Sequence, residues 1–140
     1  MAQTFDVVVI GAGPAGYIGA IRAAQLGLRT ACIDEWRDPS GEPALGGTCL
    51  NVGCIPSKAL LESSGEYEHA LHGLEGHGIT VSGAKVNVAK MIARKDAIVA
   101  RMTKGIETLF RKNKVTWLKG HGRFAARSAE GWRLEVSGAG

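Results

Sequence analysis

Near its start the chain carries an unbroken apolar run, Val7-Val8-Val9-Ile10, just after Phe5 and Asp6. Continuous β-branched residues suit a strand buried on both faces, so a strand is predicted over residues 4–10. A glycine-rich turn follows. Pro14 then fits the first turn of a helix running to about Leu26, where Gly27 supplies the stop. A second strand is expected over residues 28–34. Strand, glycine turn, helix and strand in such quick succession, within about 30 residues, make a βαβ unit with parallel strands and a right-handed crossover.

Residues 35–45 include Asp38-Pro39-Ser40-Gly41 and Pro43 and read as an irregular connection. Beyond Gly46-Gly47 the pattern turns helical, with Ala59, Leu60 and Leu61 leading to Ser63-Ser64-Gly65. Asn87 is a suitable N-cap for a long amphipathic helix that carries Val88, Met91, Ile92, Ile98, Val99, Met102, Ile106, Leu109 and Phe110 at helical spacings. Lysines at positions 112 and 114 place cations where a helix C-terminus favours them. Short strands are predicted over residues 115–118, 122–126 and 132–136, with turns at Gly120 and at Glu130-Gly131.

Composition narrows the class. With 140 residues and 45% hydrophobic content, one domain is the default, and a domain of that size buries roughly two thirds of its unfolded surface. The 20 glycines are about twice the usual share, yet they show no collagen period and come with only 4 prolines, which excludes collagen and disorder. Residues 7–21 are uncharged, but Asp6 stands where a signal peptide needs a cation, and Gly11, Gly13, Pro14 and Gly16 interrupt the apolar run. No segment reaches the roughly 18 apolar residues of a membrane-spanning helix. Three cysteines are too few for a disulfide-stapled secreted scaffold. A soluble, cytoplasmic protein with no membrane span is expected.

The net charge of +4 is unevenly spread. Between Lys85 and Arg127 twelve basic residues face only Asp96 and Glu107. The aromatic residues there are Phe110, Trp117 and Phe124, and no nucleic-acid motif frames them. A solvated helix face is favoured over nucleic acid, with acidic proteins or nucleotide phosphates as the other partners such charge would suit.

Two motifs carry chemistry. Gly11-Ala12-Gly13-Pro14-Ala15-Gly16 is a G-x-G-x-x-G placed directly between a predicted strand and a helix. The first glycine permits the tight turn, the second lets a pyrophosphate approach the backbone, and the third lets helix and strand pack closely. The pyrophosphate would meet the unpaired N–H groups of the helix N-terminus. Asp34 ends the second strand at the distance where an acid accepts hydrogen bonds from a ribose, and Glu35 is the neighbour that could substitute. An ordinary strand-to-helix turn with surface acids is the bland alternative. The fingerprint alone does not separate FAD from NAD.

The second motif, Gly46-Gly-Thr-Cys-Leu-Asn-Val-Gly-Cys-Ile-Pro-Ser-Lys58, separates Cys49 and Cys54 by four residues. In a regular helix such positions diverge beyond the roughly 7 Å between Cα atoms that a disulfide tolerates. A bridge would need a distorted turn, which Gly53 and Pro56 would permit, and a disulfide closing so short a loop should be readily reduced. Two unpaired buried cysteines are the alternative. No metal site is expected, because His69, His72 and His77 follow at irregular spacing and no second cysteine pair completes a ligand set. Cys32, in the second strand, reads as a small buried apolar residue. Lys58 stands one helical turn beyond Cys54, where its cation could stabilise a thiolate or an anionic cofactor ring, although an exposed lysine would look the same. A redox dithiol beside a dinucleotide cradle calls for a flavin, so FAD is the expected cofactor.

Together these motifs resemble the start of the class I pyridine nucleotide-disulfide oxidoreductase family, and the resemblance covers essentially the whole chain. Ser57 stands where glutathione and trypanothione reductases usually carry Lys, and Leu50 and Ile55 where mercuric reductases typically carry Val. These details favour the dihydrolipoamide dehydrogenase branch over the mercuric or glutathione reductase type. The fold implied is α/β, Rossmann-like and FAD-binding, with a parallel sheet, crossover helices and a small antiparallel β-meander, in an incomplete domain.

The resemblance also implies roles. Cys49 would be the interchange thiol and Cys54 the charge-transfer thiol, with Lys58 near the flavin's redox edge. Gly11, Gly13, Pro14, Ala15, Gly16, Gly47, Thr48 and Gly122 would line the FAD. Asp34 replaces the family's commoner Glu at the ribose, which leaves the contact open between Asp34 and Glu35. The reaction implied is oxidation of protein-bound dihydrolipoamide by NAD, for lipoyl domains of 2-oxo acid dehydrogenase complexes or glycine cleavage. Family members are several times longer and homodimeric. Residues 1–140 would then be the N-terminal segment of the FAD-binding domain, without the NAD-binding and C-terminal interface domains, and inactive alone. A noncatalytic FAD-binding or interaction module is the competing class.

Overall fold

The computed structural model describes residues 3–138, and a three-stranded parallel sheet lies at its centre. β1 (Val7–Ile10), β2 (Thr30–Asp34) and β3 (Thr116–Lys119) adjoin in that order. Val7 pairs with Thr30 and Ile10 with Ile33, while Ala31 pairs with Thr116 and Asp34 with Lys119. β2, flanked on both sides, is buried from Thr30 to Ile33. β1 is half-exposed instead, and Ile10 is 44% exposed. The expectation of a strand buried on both faces thus fits β2 better than the more apolar β1. Burial here follows from having two neighbours, and among the described residues β1 has one.

α1 (Pro14–Gln25) crosses from β1 to β2. Pro14 occupies its first position, and Gly27, at φ +88°, turns the chain after Leu26. The connection to β3 holds α2 (Gly47–Asn51), α3 (Cys54–Glu68), a π-helical turn (His69–Gly73) and α4 (Val88–Lys112). The side chain of Asn87 caps α4 by accepting from the Lys90 N–H at 3.0 Å. α3 runs on through Ser63-Ser64-Gly65 to Glu68. Ser63 and Ser64 donate back to the carbonyls of Ala59 and Leu61 within the helix. Arg94 of α4 adds a brace, donating to the Ala59 carbonyl at 3.1 Å and the Ser63 hydroxyl at 3.3 Å and pairing with Glu62.

The antiparallel part is a hairpin of β4 (His121–Ser128) and β5 (Gly131–Ser137), with a register shift between Phe124 and Ala126. β3 belongs to the parallel sheet, because its residues pair with β2. The buried core joins Ala12, Ala20, Cys32, Leu45, Leu50, Ile106, Phe110 and Val115. It therefore takes residues from the glycine turn, the cysteine helix and α4 alike. No helix among the described residues is long and apolar enough to cross a membrane.

Candidate flavin cradle and redox turn

The glycine turn begins where β1 ends. Gly11 takes φ +97° and its N–H donates to the Ile33 carbonyl at 2.7 Å, extending the β1–β2 ladder into the turn. At Gly16 a Cβ would lie 1.8 Å from the Gly11 carbonyl oxygen, so only glycine lets α1 approach this closely. At Gly13, by contrast, a Cβ would meet nothing within 4 Å. The space in front of the α1 N-terminus is open, and no side chain caps that helix. Its first-turn amides lack intrahelical acceptors, and Pro14, at the first position, has no N–H to satisfy. Amides without intrahelical acceptors, beside the open space at Gly13, fit an anionic pyrophosphate, so these residues fit the dinucleotide they suggested.

Asp34 and Glu35 leave the C-terminal end of β2 in different directions. The Asp34 carboxylate accepts from the Ala12 N–H at 2.5 Å and the Trp36 N–H at 2.8 Å, so it ties the glycine turn to the strand end. Glu35 is exposed, and its carboxylate lies 3.0 Å from His121 Nδ1. Beside Glu35 is an open cavity of about 250 Å³ lined by Glu35, Arg37, Gly120, His121, Ser137 and Gly138. Gly122 follows, and a Cβ there would meet Ile33 side-chain atoms at 2.9 Å, so glycine lets β4 cross closely over β2. The loop between β2 and α2 is held by Asp38, whose carboxylate accepts from the Ser40 N–H, the Ser40 hydroxyl and the Glu42 N–H. The Ser40 hydroxyl is the main reason the Asp38 carboxyl is held below its ordinary range.

The cysteine motif packs directly on the glycine turn. Gly46 (φ +110°) donates to the Ala12 carbonyl at 3.0 Å, and a Cβ on Gly47 (φ +58°) would stand 2.8 Å from Gly13 Cα. α2 carries Cys49 and stops at Asn51, where the Thr48 carbonyl accepts from both Val52 and Gly53. Gly53, at φ −111° and ψ −108°, breaks the helix, and Cys54 starts α3. That break brings the two Cα atoms to 4.7 Å, and Cys49 and Cys54 form a disulfide. Pro56 is buried within the first turn of α3, where its missing N–H is no loss, and the distortion falls at Val52 and Gly53.

Cys54 is exposed and Cys49 half-buried; Thr48 and Lys58 are both exposed. Lys58 lies one turn beyond Cys54 on α3. Cys32 is the free cysteine and is buried; desolvation, with the charge of Asp34 second, pushes its thiol up to about 12, so it stays protonated. It takes no part in the disulfide pair. Two polar residues at the site, His121 and Asn51, were not singled out from sequence. His121 lies between two glycines and Asn51 between the two cysteines, and neither position has a spacing signature.

With this geometry in view, comparison with known proteins decides the family. Residues 5–137 match the pyridine nucleotide-disulphide oxidoreductase family. The chain belongs to that family. It is 65% identical over 140 residues to a dihydrolipoyl dehydrogenase of Cupriavidus necator, which covers 99% of this chain and 30% of that protein. A mitochondrial dihydrolipoyl dehydrogenase of Pisum sativum is 54% identical over 123 residues, 88% of this chain and 23% of its own length. A leghemoglobin reductase of Vigna unguiculata is 56% identical over 123 residues, 88% of this chain and 22% of its own length. The chain thus spans less than a third of the curated relatives it matches.

Proposed function

We propose that this chain supplies the FAD cradle and redox disulfide of a dihydrolipoyl dehydrogenase, as the N-terminal segment of a longer, homodimeric FAD- and NAD-dependent enzyme. The observation that carries this reading is the contact between the two motifs: a disulfide across a helix break, on a loop packed against the glycine cradle. FAD bound in this cradle would supply two-electron transfer between the dithiol and NAD. Gly11, Gly13, Pro14, Ala15 and Gly16 would hold its pyrophosphate, Gly47 and Thr48 the adjoining portion, and Glu35 with Gly122 the adenosine end. Asp34 supports the glycine turn from behind.

The thiol chemistry follows from the chain's own residues. A thiolate of dihydrolipoamide attacks Cys49 Sγ, forming a mixed disulfide and releasing the Cys54 thiolate. The second substrate thiolate attacks the substrate sulfur of that mixed disulfide and releases the Cys49 thiolate. Lipoamide leaves with its disulfide closed, and two electrons now reside in the Cys49–Cys54 pair. Lys58 supplies a cation near the dithiol. The complete reaction is dihydrolipoamide plus NAD⁺ giving lipoamide, NADH and a proton. Lipoyl domains of 2-oxo acid dehydrogenase complexes or of glycine cleavage are the partners this substrate implies, and a reducing cytoplasm suits the free Cys32.

The test uses the full-length protein. It should purify yellow and reduce NAD with dihydrolipoamide, while Cys49→Ser retains the flavin and loses that activity. A full-length protein that reduces glutathione disulfide or mercuric ion and ignores dihydrolipoamide would overturn the assignment.

A further inference from the structure

Between the two cysteines, the side chain of Asn51 does something that no other residue of the motif does. Its amide nitrogen donates to the Leu45 carbonyl at 3.2 Å and to the Gly47 carbonyl at 2.9 Å. Only the NH₂ edge of an amide has two donors to offer, and the two carbonyls therefore fix its orientation. The neighbouring carbonyls are also engaged: Gly46 accepts from the Leu50 N–H and Thr48 from the N–H groups of Val52 and Gly53. Leu45 lies outside α2, is fully buried, and leads into the two glycines that rest on Ala12 and Gly13. The Asn51 amide thus joins the helix that bears Cys49 to the strip of backbone seated on the glycine cradle.

We propose that Asn51 is a positioning residue that sets the redox disulfide relative to the flavin, by locking the Leu45–Gly47 backbone to the cysteine helix. The proposal rests on the flavin-disulfide reading above. Gly46 and Gly47 both hold positive φ, and glycine backbones have little steric reason to stay in one conformation. Without the Asn51 bridge, α2 is a single helical turn joined to the cradle strip through two glycines, and the Cys49 sulfur it carries can shift against the cradle. Van der Waals contact at Gly13 opposes collapse onto the cradle and the buried Leu50 side chain opposes outright departure, but neither fixes the tilt of the Cys49 turn between those limits.

The measurement uses the full-length holoprotein, reduced anaerobically by two electrons, with the long-wavelength charge-transfer absorbance per bound flavin as the readout. Asn51→Asp keeps the shape but, ionised, turns acceptor oxygens toward two carbonyls. Asn51→Ala removes the bridge without that repulsion. The absorbance should fall severalfold in Asn51→Ala and further in Asn51→Asp, and kcat should fall with little change in the KM for dihydrolipoamide. Release of FAD should quicken by about tenfold, the scale for losing part-buried hydrogen bonds.

A purely structural Asn51 would lower the melting temperature yet leave the absorbance per flavin and the FAD release rate at wild-type values, and that result would overturn the proposal. If Asn51→Asp fails to fold, Asn51→Ala decides on the same readouts. A wild-type holoprotein that shows no charge-transfer absorbance and no dihydrolipoamide oxidation would instead defeat the functional reading on which the proposal stands.

Discussion

Gly16→Ala and Gly19→Ala form a matched pair within α1, because both replace a helical glycine by the best helix former. Each gains roughly 1 kcal/mol in backbone entropy and propensity. At Gly19 a Cβ meets nothing within 4 Å, so the gain stands alone. At Gly16 the same atom would lie 1.8 Å from the Gly11 carbonyl oxygen and 3.5 Å from Val9 Cγ1. The obstructing atom is backbone, held in place by the Gly11 N–H bond to Ile33, so no side-chain rotation relieves the clash. The helix and the turn must separate by more than an ångström, against an overpacking cost of about 3 kcal/mol in a close-packed interior. Gly16→Ala should therefore fall about 3 kcal/mol below Gly19→Ala in stability. Since the separation widens the cradle, FAD affinity should drop by up to about 100-fold in Gly16→Ala alone. Thermal melting and FAD release by the full-length variants measure both effects. Equal stability and equal FAD retention in the two variants would refute the close-approach reasoning.

Cys32 and Asn87 offer two further checks. After mild reduction, alkylation of the native protein at pH 8 should label Cys49 and Cys54 but not Cys32, with the third thiol appearing only in denaturant; mass spectrometry reads the count. The folded Cys32 thiol is pushed up to about 12 from its ordinary 9.0, so the stability it contributes is full below pH 9 and is lost as pH rises toward 12. Relative to Cys32→Ala, the wild type should lose stability across that interval in denaturant titrations. Asn87→Ala should cost about 1 kcal/mol by removing the α4 cap, whereas Asn87→Asp should keep it, as a melting comparison will show.

The strand-turn-helix-strand unit was legible because each boundary residue has one physical job. Pro14 opens α1, Gly27 closes its C-terminal turn, and Gly16 permits a contact that no other residue could make. The break between the cysteines was legible too, since a regular helix cannot bridge them and Gly53 can supply the kink. What escaped were properties that depend on neighbours. β1 is richer in β-branched residues than β2, yet β2 is the buried strand because it is flanked on both sides. Ser63-Ser64-Gly65 resembles a helix end, but the contacts of Arg94 from the facing α4 carry α3 past it. At β2's end the acid pair was left open from sequence; Asp34 bonds to Ala12 and Trp36, whereas Glu35 faces His121. Those different partners follow from the path of the chain after β2.

The same dependence explains why the two motifs lie side by side. Ala12 from the glycine turn and Leu45 and Leu50 from the cysteine loop share one buried cluster with Ile106 and Phe110 of α4. A shift of the cysteine helix away from the cradle must therefore open the core, and close-packed interiors resist opening more strongly than exposed loops resist bending. The exposed face, with Cys54 and Lys58, carries no such restraint. Rigid support behind the half-buried Cys49 is an arrangement in which the disulfide can open and re-form without its backbone moving. Glycine at Gly13 and Gly47 then matters twice, once for the room it leaves to a phosphate and once for the backbone contact through which the core holds the sulfurs in place.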